Sequence, residues 1–323
     1  MNDFDPSRIN DRWIRSLRTG KNRVDPHKPY SWSIEKERGR LGDIEDTATL
    51  FLTNRECPFT CLMCDLWLNT TNHSITSGEV EDQIDLVLPE IASAKNLKLY
   101  NSGNFFDTKA IPREAYQSIA GKLSKYKTLI VESHPNFIDD RCLEFKEMIN
   151  PELQIAIGLE TSHPEILPRL NKKMNLQQFQ KSVKFLTDHQ IPVRVFILLG
   201  LPFLDEQESL IWAKRSIDFA FQCGAECCVL IPLRAGNGAM DYLEKAGYYQ
   251  RPSISALEAV TEYGIGHGSG RVFADIWDLE KFSSCDLCLQ KRKERLNSMN
   301  LHQKFIDKIE CNCLIYNNIR PAN

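Results

Sequence analysis

Apolar and polar positions follow two alternating rhythms along this chain. From about residue 47 a short β-rich run gives way to a polar loop, then to a segment with helical period, and the cycle repeats. The strand-like runs are ATLFLT (48–53), LKLY (97–100), TLIVES (128–133), LQIAIGLE (153–160), VRVFILLG (193–200) and ECCVLIPL (226–233). Helical segments are expected at 80–91, 113–125, 141–149, 175–189 and 206–223. In the first, apolar residues at 80, 84, 87, 88 and 91 share one face, and Thr76 with Glu79 match a capping box in front of it. Six strand–helix units in series predict an α/β fold with a parallel sheet and helices outside. Strands as continuously apolar as VFILL belong in a sheet buried on both faces. Right-handed crossovers curl such a sheet into a partial (βα)6 TIM-like barrel, whose working residues sit at the C-terminal ends of its strands. We therefore set residues 1–46 apart as a charged N-terminal extension, 47–268 as the barrel core and 269–323 as a Cys-rich C-terminal extension.

Composition narrows the classes. The 323 residues suit one large domain with an appendage, and a net charge of −3 does not advertise a polyanionic partner for the whole chain. The ends differ. Residues 1–40 carry ten Lys/Arg against six Asp/Glu, and 281–310 carry seven against four. These stretches read as local basic surfaces for a polyanion or as ordinary solvated faces. The first ten residues, MNDFDPSRIN, are polar, and no apolar run has transmembrane length. The expectation is a cytoplasmic protein with no membrane contact. Thiols stay reduced there, so eleven cysteines in tight clusters point to metal binding more than to disulfides.

The densest cluster is CPFTCLMC, with Cys57, Cys61 and Cys64 directly after the first strand, hence at the barrel mouth. Three thiolates on one short loop can each take one iron of a [4Fe–4S] cube and leave the fourth iron open to a ligand. A zinc knuckle would need a fourth ligand nearby, and Asp65 is the available residue.

The spacing Cys57-x3-Cys61-x2-Cys64, its place after the first strand and the six βα units resemble the radical S-adenosylmethionine (SAM) superfamily. The resemblance implies that SAM chelates the open iron and that an electron splits its sulfonium. A 5′-deoxyadenosyl radical then abstracts hydrogen from a substrate. It also implies an electron donor such as flavodoxin or ferredoxin. After the second strand, Asn101-Ser102-Gly103-Asn104 stands where many members have Gly-Gly-Glu for the SAM amino group, a departure from the pattern. By the same comparison Glu132, Glu160 and Arg194 are candidate SAM contacts, Arg194 through the SAM carboxylate. His134 is a candidate to face the substrate. Glu132-Ser133-His134-Pro135, Gly158-Leu159-Glu160-Thr161 and Arg169-Leu170-Asn171-Lys172 resemble the branch of elongator-type acetyltransferase subunits, methylthiotransferases and nitrogenase-cofactor proteins. Within it the likeness runs to the radical SAM subunit of archaeosine synthase and its bacterial relatives, over about residues 45 to 313.

The tail holds a second constellation. Cys285-x2-Cys288 and Cys311-x-Cys313 make two chelating pairs, a sound tetrahedral site for which zinc and a second iron–sulfur cluster both fit. Zinc is favoured because no open position is evident. In the glycine-rich stretch 264–280, His267, Arg271, Asp275 and Asp278 are candidates to line the barrel's open side, unless the stretch turns into a seventh strand. Cys142 and Cys223, and one of Cys227 and Cys228, read as small buried hydrophobes.

Three functions compete. The first is tRNA modification, with tRNA or a tRNA-handling protein as partner, from the resemblance and the basic ends. The second is chemistry on a small molecule or peptide. The third is a non-enzymatic iron–sulfur redox or scaffold protein.

Overall fold

The structure, a computed structural model, describes residues 4–311. Its strands are β1 (Ser31–Arg38), β2 (Ile44–Leu52), β3 (Asn96–Asn101), β4 (Thr128–Glu132), β5 (Glu152–Glu160), β6 (Val193–Leu199), β7 (Cys227–Pro232) and β8 (Arg271–Ala274). They lie side by side in chain order in one sheet. Strands β2 to β8 are parallel, and β1 runs antiparallel to β2. The six expected strands are present, and helices Ser77–Val87, Tyr116–Lys122, Asp140–Met148, Leu176–Asp188 and Glu206–Gln222 follow β2 to β6. Thr76 and Glu79 form the expected capping box.

Two strands extend the expected (βα)6 count to seven parallel strands and one antiparallel strand. β1 lies in the stretch set apart as an extension, and β8 lies beyond the barrel's expected end, so the sheet runs past both residue 46 and residue 268. The curled sheet stays open between β8 and β1, and the helix Asp286–His302 covers that gap. Asn300 pairs with both backbone groups of Ala274 at 2.8 and 2.9 Å, and Gln303 does the same for Val272 at 2.7 and 2.8 Å. The edge hydrogen bonds of β8 are thereby satisfied.

Outward positions such as Leu97, Leu99, Val195 and Ile197 pack into one core beneath the helices. A second apolar cluster sits at the mouth, where Phe4 and Ile14 of the N-terminal segment meet Leu62, Leu170, Leu233 and Met240. Contact there is tight. Gly238 has φ +86°, and a Cβ on it would lie 1.9 Å from the Leu17 carbonyl oxygen.

The barrel interior is not an apolar plug. On its floor Glu37 of β1 takes Lys98 of β3 at 2.5 Å and Arg194 of β6. Gln154 and Glu226 continue the network to Arg271 on β8. Burial alone would raise the Glu37 carboxyl, but the Arg194 guanidinium and Lys98 ammonium hold it well below the usual carboxylate range. Two residues further along, the inward positions are aromatic: Tyr100 follows Lys98, and Phe196 follows Arg194. The cysteine loop lies above them.

Candidate functional site

A cavity of about 500 Å³ opens at the C-terminal ends of the strands. Cys57, Cys61 and Cys64 line one wall, on the loop that leaves β2. That loop is held by residues distant in the chain. Leu62 N–H donates to the Leu170 carbonyl at 2.9 Å, Asn171 Nδ2 donates to Thr60 O at 2.6 Å, and Asn237 Nδ2 donates to Leu62 O at 2.8 Å. Gly103 at the end of β3 brings backbone against the loop, since its Cβ would sit 3.5 Å from that of Cys57. Asn104 Nδ2 reaches Cys57 Sγ at 3.2 Å, while Asn104 Oδ1 accepts the His134 N–H at 2.7 Å.

The three thiols fit a multi-iron cluster better than one ion. Among the described residues, the group that brings three such ligand atoms within 4.8 Å of one another is Cys285, Cys288 and Cys311. The mouth cysteines are therefore spread more widely than a single tetrahedral ion would hold them, with sulfur neighbours about 3.8 Å apart from 2.3 Å bonds. Burial pushes all three mouth thiols up to about 12. The Lys172 ammonium opposes that shift at each of them, so it favours the thiolates that iron needs.

Lys172 pairs with Glu160 at 2.7 Å, and both side chains are about nine-tenths buried. Glu160 has φ +65°, and Asn171 and Lys173 beside the lysine have φ +52° and +60°. Three non-glycine residues in the left-handed region hold this corner in its turn. Lys172 was legible in the sequence only as part of a resemblance, because nothing local marks a lysine that will face three cysteines.

The other expected residues divide. Ser102, Gly103, Glu132, Glu160 and Arg194 line the cavity. Asn101 does not; its backbone N–H donates to Glu132 Oε1 at 3.0 Å, and its buried side-chain amide has no hydrogen-bond partner. Burial pushes the Glu132 carboxyl up to about 8, so it is a neutral acid at pH 7. Arg194 is 3% exposed and engaged by Glu37 and Gln154, neither a surface arginine nor a free one. His134 lines the wall with both ring nitrogens in use. Nδ1 accepts the Asn136 N–H at 3.1 Å, so Nε2 carries the proton to Lys172 O at 2.8 Å. Burial and then the Lys172 ammonium push this imidazole down to about 3, so it stays neutral and acts as a clamp stacked on Phe59.

In the stretch 264–280 both readings are partly right. Residues 271–274 form β8, Asp275 lines the cavity and pairs with Arg234 at 3.0 Å, and Asp278 pairs with Lys281 at 2.6 Å. His267 ends the helix Ile254–His267 and meets Asp218 at 3.6 Å, while Arg271 pairs with Glu226. Cys142, Cys227 and Cys228 are buried and Cys223 half-buried.

In the C-terminal constellation the Cys285 and Cys311 sulfurs lie 3.8 Å apart, the separation tetrahedral zinc requires. Cys313 lies outside the described residues. Much of the basic excess in 281–310 is internally neutralised: Arg292 pairs with Glu258 at 2.9 Å, and Arg295 pairs with Glu258 and Glu262. Among the described residues, no helix is long and apolar enough to cross a membrane.

The radical SAM superfamily model matches residues 52–211. The chain is 24% identical over 325 residues to an uncharacterized protein of Methanocaldococcus jannaschii, covering 93% of this chain and 89% of that one. It is 23% identical over 229 residues to archaeosine synthase subunit beta of Methanosarcina acetivorans, covering 67% of this chain and 66% of the relative. Among solved structures, the archaeal Methanocaldococcus infernus Elp3 with an N-terminal deletion matches with a TM-score of 0.52 and 11% identity. That match covers 70% of this chain and 59% of Elp3, and it shows a shared fold.

Proposed function

This chain is an enzyme of the radical SAM superfamily, and we propose that its substrate is a nucleoside within tRNA. The non-enzymatic carrier is thereby set aside. Cys57, Cys61 and Cys64 would hold three irons of a [4Fe–4S] cluster. When bound, the cluster and SAM supply one-electron cleavage of the sulfonium and abstraction of a substrate hydrogen atom. Ser102, Gly103 and Glu160 line the cavity close to the cysteine loop and are the residues we assign to SAM. Arg194 is held by Glu37, and Asn101 lies outside the cavity lining and engages Glu132 through its backbone N–H.

The observation that carries the nucleoside reading is the aromatic lining of the cavity. Tyr30, Phe51, Tyr100, Phe196 and Trp277 meet in a chain of ring contacts 5.4–6.1 Å between centroids. Planar faces of this kind suit a base drawn out of its stack. Neutral Glu132 beside them offers a hydrogen-bond donor without a buried charge. The likeness to a subunit of archaeosine synthase supports the same substrate class.

The test is mass spectrometry of total tRNA nucleosides from the source organism with and without the gene. Loss of one modified nucleoside, with its precursor accumulating, is expected. An unchanged profile sinks the RNA reading and directs the search to small molecules and peptides.

For the tail, the proposal is zinc held by Cys285, Cys288 and Cys311, with Cys313 as fourth ligand. Elemental analysis of the purified chain should find about one zinc per chain beside the iron, lost in Cys288→Ser with iron retained. Loss of iron instead of zinc would make the site a second cluster.

A further inference from the structure

Beside the cavity mouth lies a second hollow, about 400 Å³, whose wall includes Arg15, Arg18, Lys21, Arg55, Glu56 and Cys57. It shares Arg18, Glu56 and Cys57 with the main cavity, so the two adjoin at the cysteine loop. Four cations face a single carboxylate. Glu56 takes Arg18 at 2.6 Å and Lys21 at 3.0 Å. Arg15 and Arg55 reach only hydroxyls, Thr60 Oγ1 at 3.2 Å and Ser74 Oγ at 3.3 Å. Among the described residues, neither has a carboxylate within 4.0 Å. Arg18 is fixed further by lying 4.6 Å over the Trp67 ring. The hollow is thus a concave surplus of positive charge with one arginine already locked in place. Arginine forks match phosphate oxygens.

We propose that this hollow is a phosphate site, and that it grips the backbone of the substrate RNA next to the nucleoside that enters the cavity. The RNA source rests on the proposed function; the phosphate chemistry rests on the hollow alone. Four cations converging on one hollow suit a compact anion such as phosphate. The placement explains why Arg15, Arg18 and Lys21, all from the basic N-terminal stretch, fold against the cysteine loop.

The test compares wild type with the Arg15→Gln/Arg55→Gln double variant, as purified holoenzymes of equal iron content and melting temperature. Binding of unmodified tRNA is measured across a salt series, with inorganic pyrophosphate as competitor. The double variant should bind about tenfold more weakly at low salt, and its slope of log affinity against log salt should be shallower by roughly 1.5. Arg15→Lys/Arg55→Lys should recover most of the affinity, and pyrophosphate should compete in wild type only. Equal affinity and slope in wild type and double variant, with no pyrophosphate effect in either, overturns the proposal. If wild type binds no tRNA, the RNA reading fails. Pyrophosphate binding lost in the double variant then keeps the phosphate site and assigns it to a phosphorylated small molecule. A variant that binds tRNA normally but needs more flavodoxin for reduction makes the hollow a donor-protein dock, and the proposal falls.

Discussion

Replacing Cys61 with alanine is expected to abolish reductive SAM cleavage, by on the order of a thousandfold or more, about 4 kcal/mol in barrier terms. Cys61 sits midway along the CPFTCLMC loop, and all three thiols face one cavity wall. With two sulfurs left, the loop no longer presents one thiolate to each of three irons. The loop itself should survive, because it is held through Leu62, Thr60 and Cys64 backbone groups by Leu170, Asn171 and Asn237, in hydrogen bonds that do not use the Cys61 sulfur. The measurement is 5′-deoxyadenosine formed under anaerobic, reducing conditions, together with iron content and the visible absorption of the cluster. A Cys228→Ala control, altered in the packed barrel wall, should keep iron. A Cys61→Ala chain that still cleaves SAM reductively shows that the cluster assignment is wrong.

The second large effect is expected at Lys172→Met. Its partner Glu160 would be left as a buried, unpaired carboxylate, which costs about 3–5 kcal/mol and lowers the melting temperature by roughly 5–10 °C. A Lys172→Met/Glu160→Gln double variant should recover much of this, because the stranded charge is gone. The double variant should still load iron more slowly than wild type, since the ammonium that favours the thiolates is missing in both variants. Thermal melts of the apoprotein read the first effect, and the time course of cluster reconstitution reads the second. A single variant as stable as wild type would show that the pair is not buried in solution.

Local patterns were legible because they depend only on backbone period and near neighbours. The β2 to β7 runs, the Thr76–Glu79 box and the three-cysteine spacing all lie within a dozen residues, and each kept its place in the fold. β1 was missed for a physical reason. SWSIEKER closes on four consecutive charged residues, as a solvated segment would, and only partners across the barrel draw the Glu37 carboxylate inside. Glu37 finds Lys98 61 residues away and Arg194 157 residues away, and no window along the chain contains that pairing. His134 and Lys172 depend likewise on elements that meet only when the sheet curls.

The sequence by itself determined the strand–helix succession, the place of the three cysteines at the mouth and the Cys285–Cys288 pair at the start of the helix Asp286–His302, since backbone geometry enforces these over short distances. Only the tertiary structure decided which charges cancel. Arg194, Arg292 and Arg295 meet carboxylates, while Arg15 and Arg55 are left facing a hollow. Coulomb interactions follow distance in space and local dielectric, and neither is written in the order of residues.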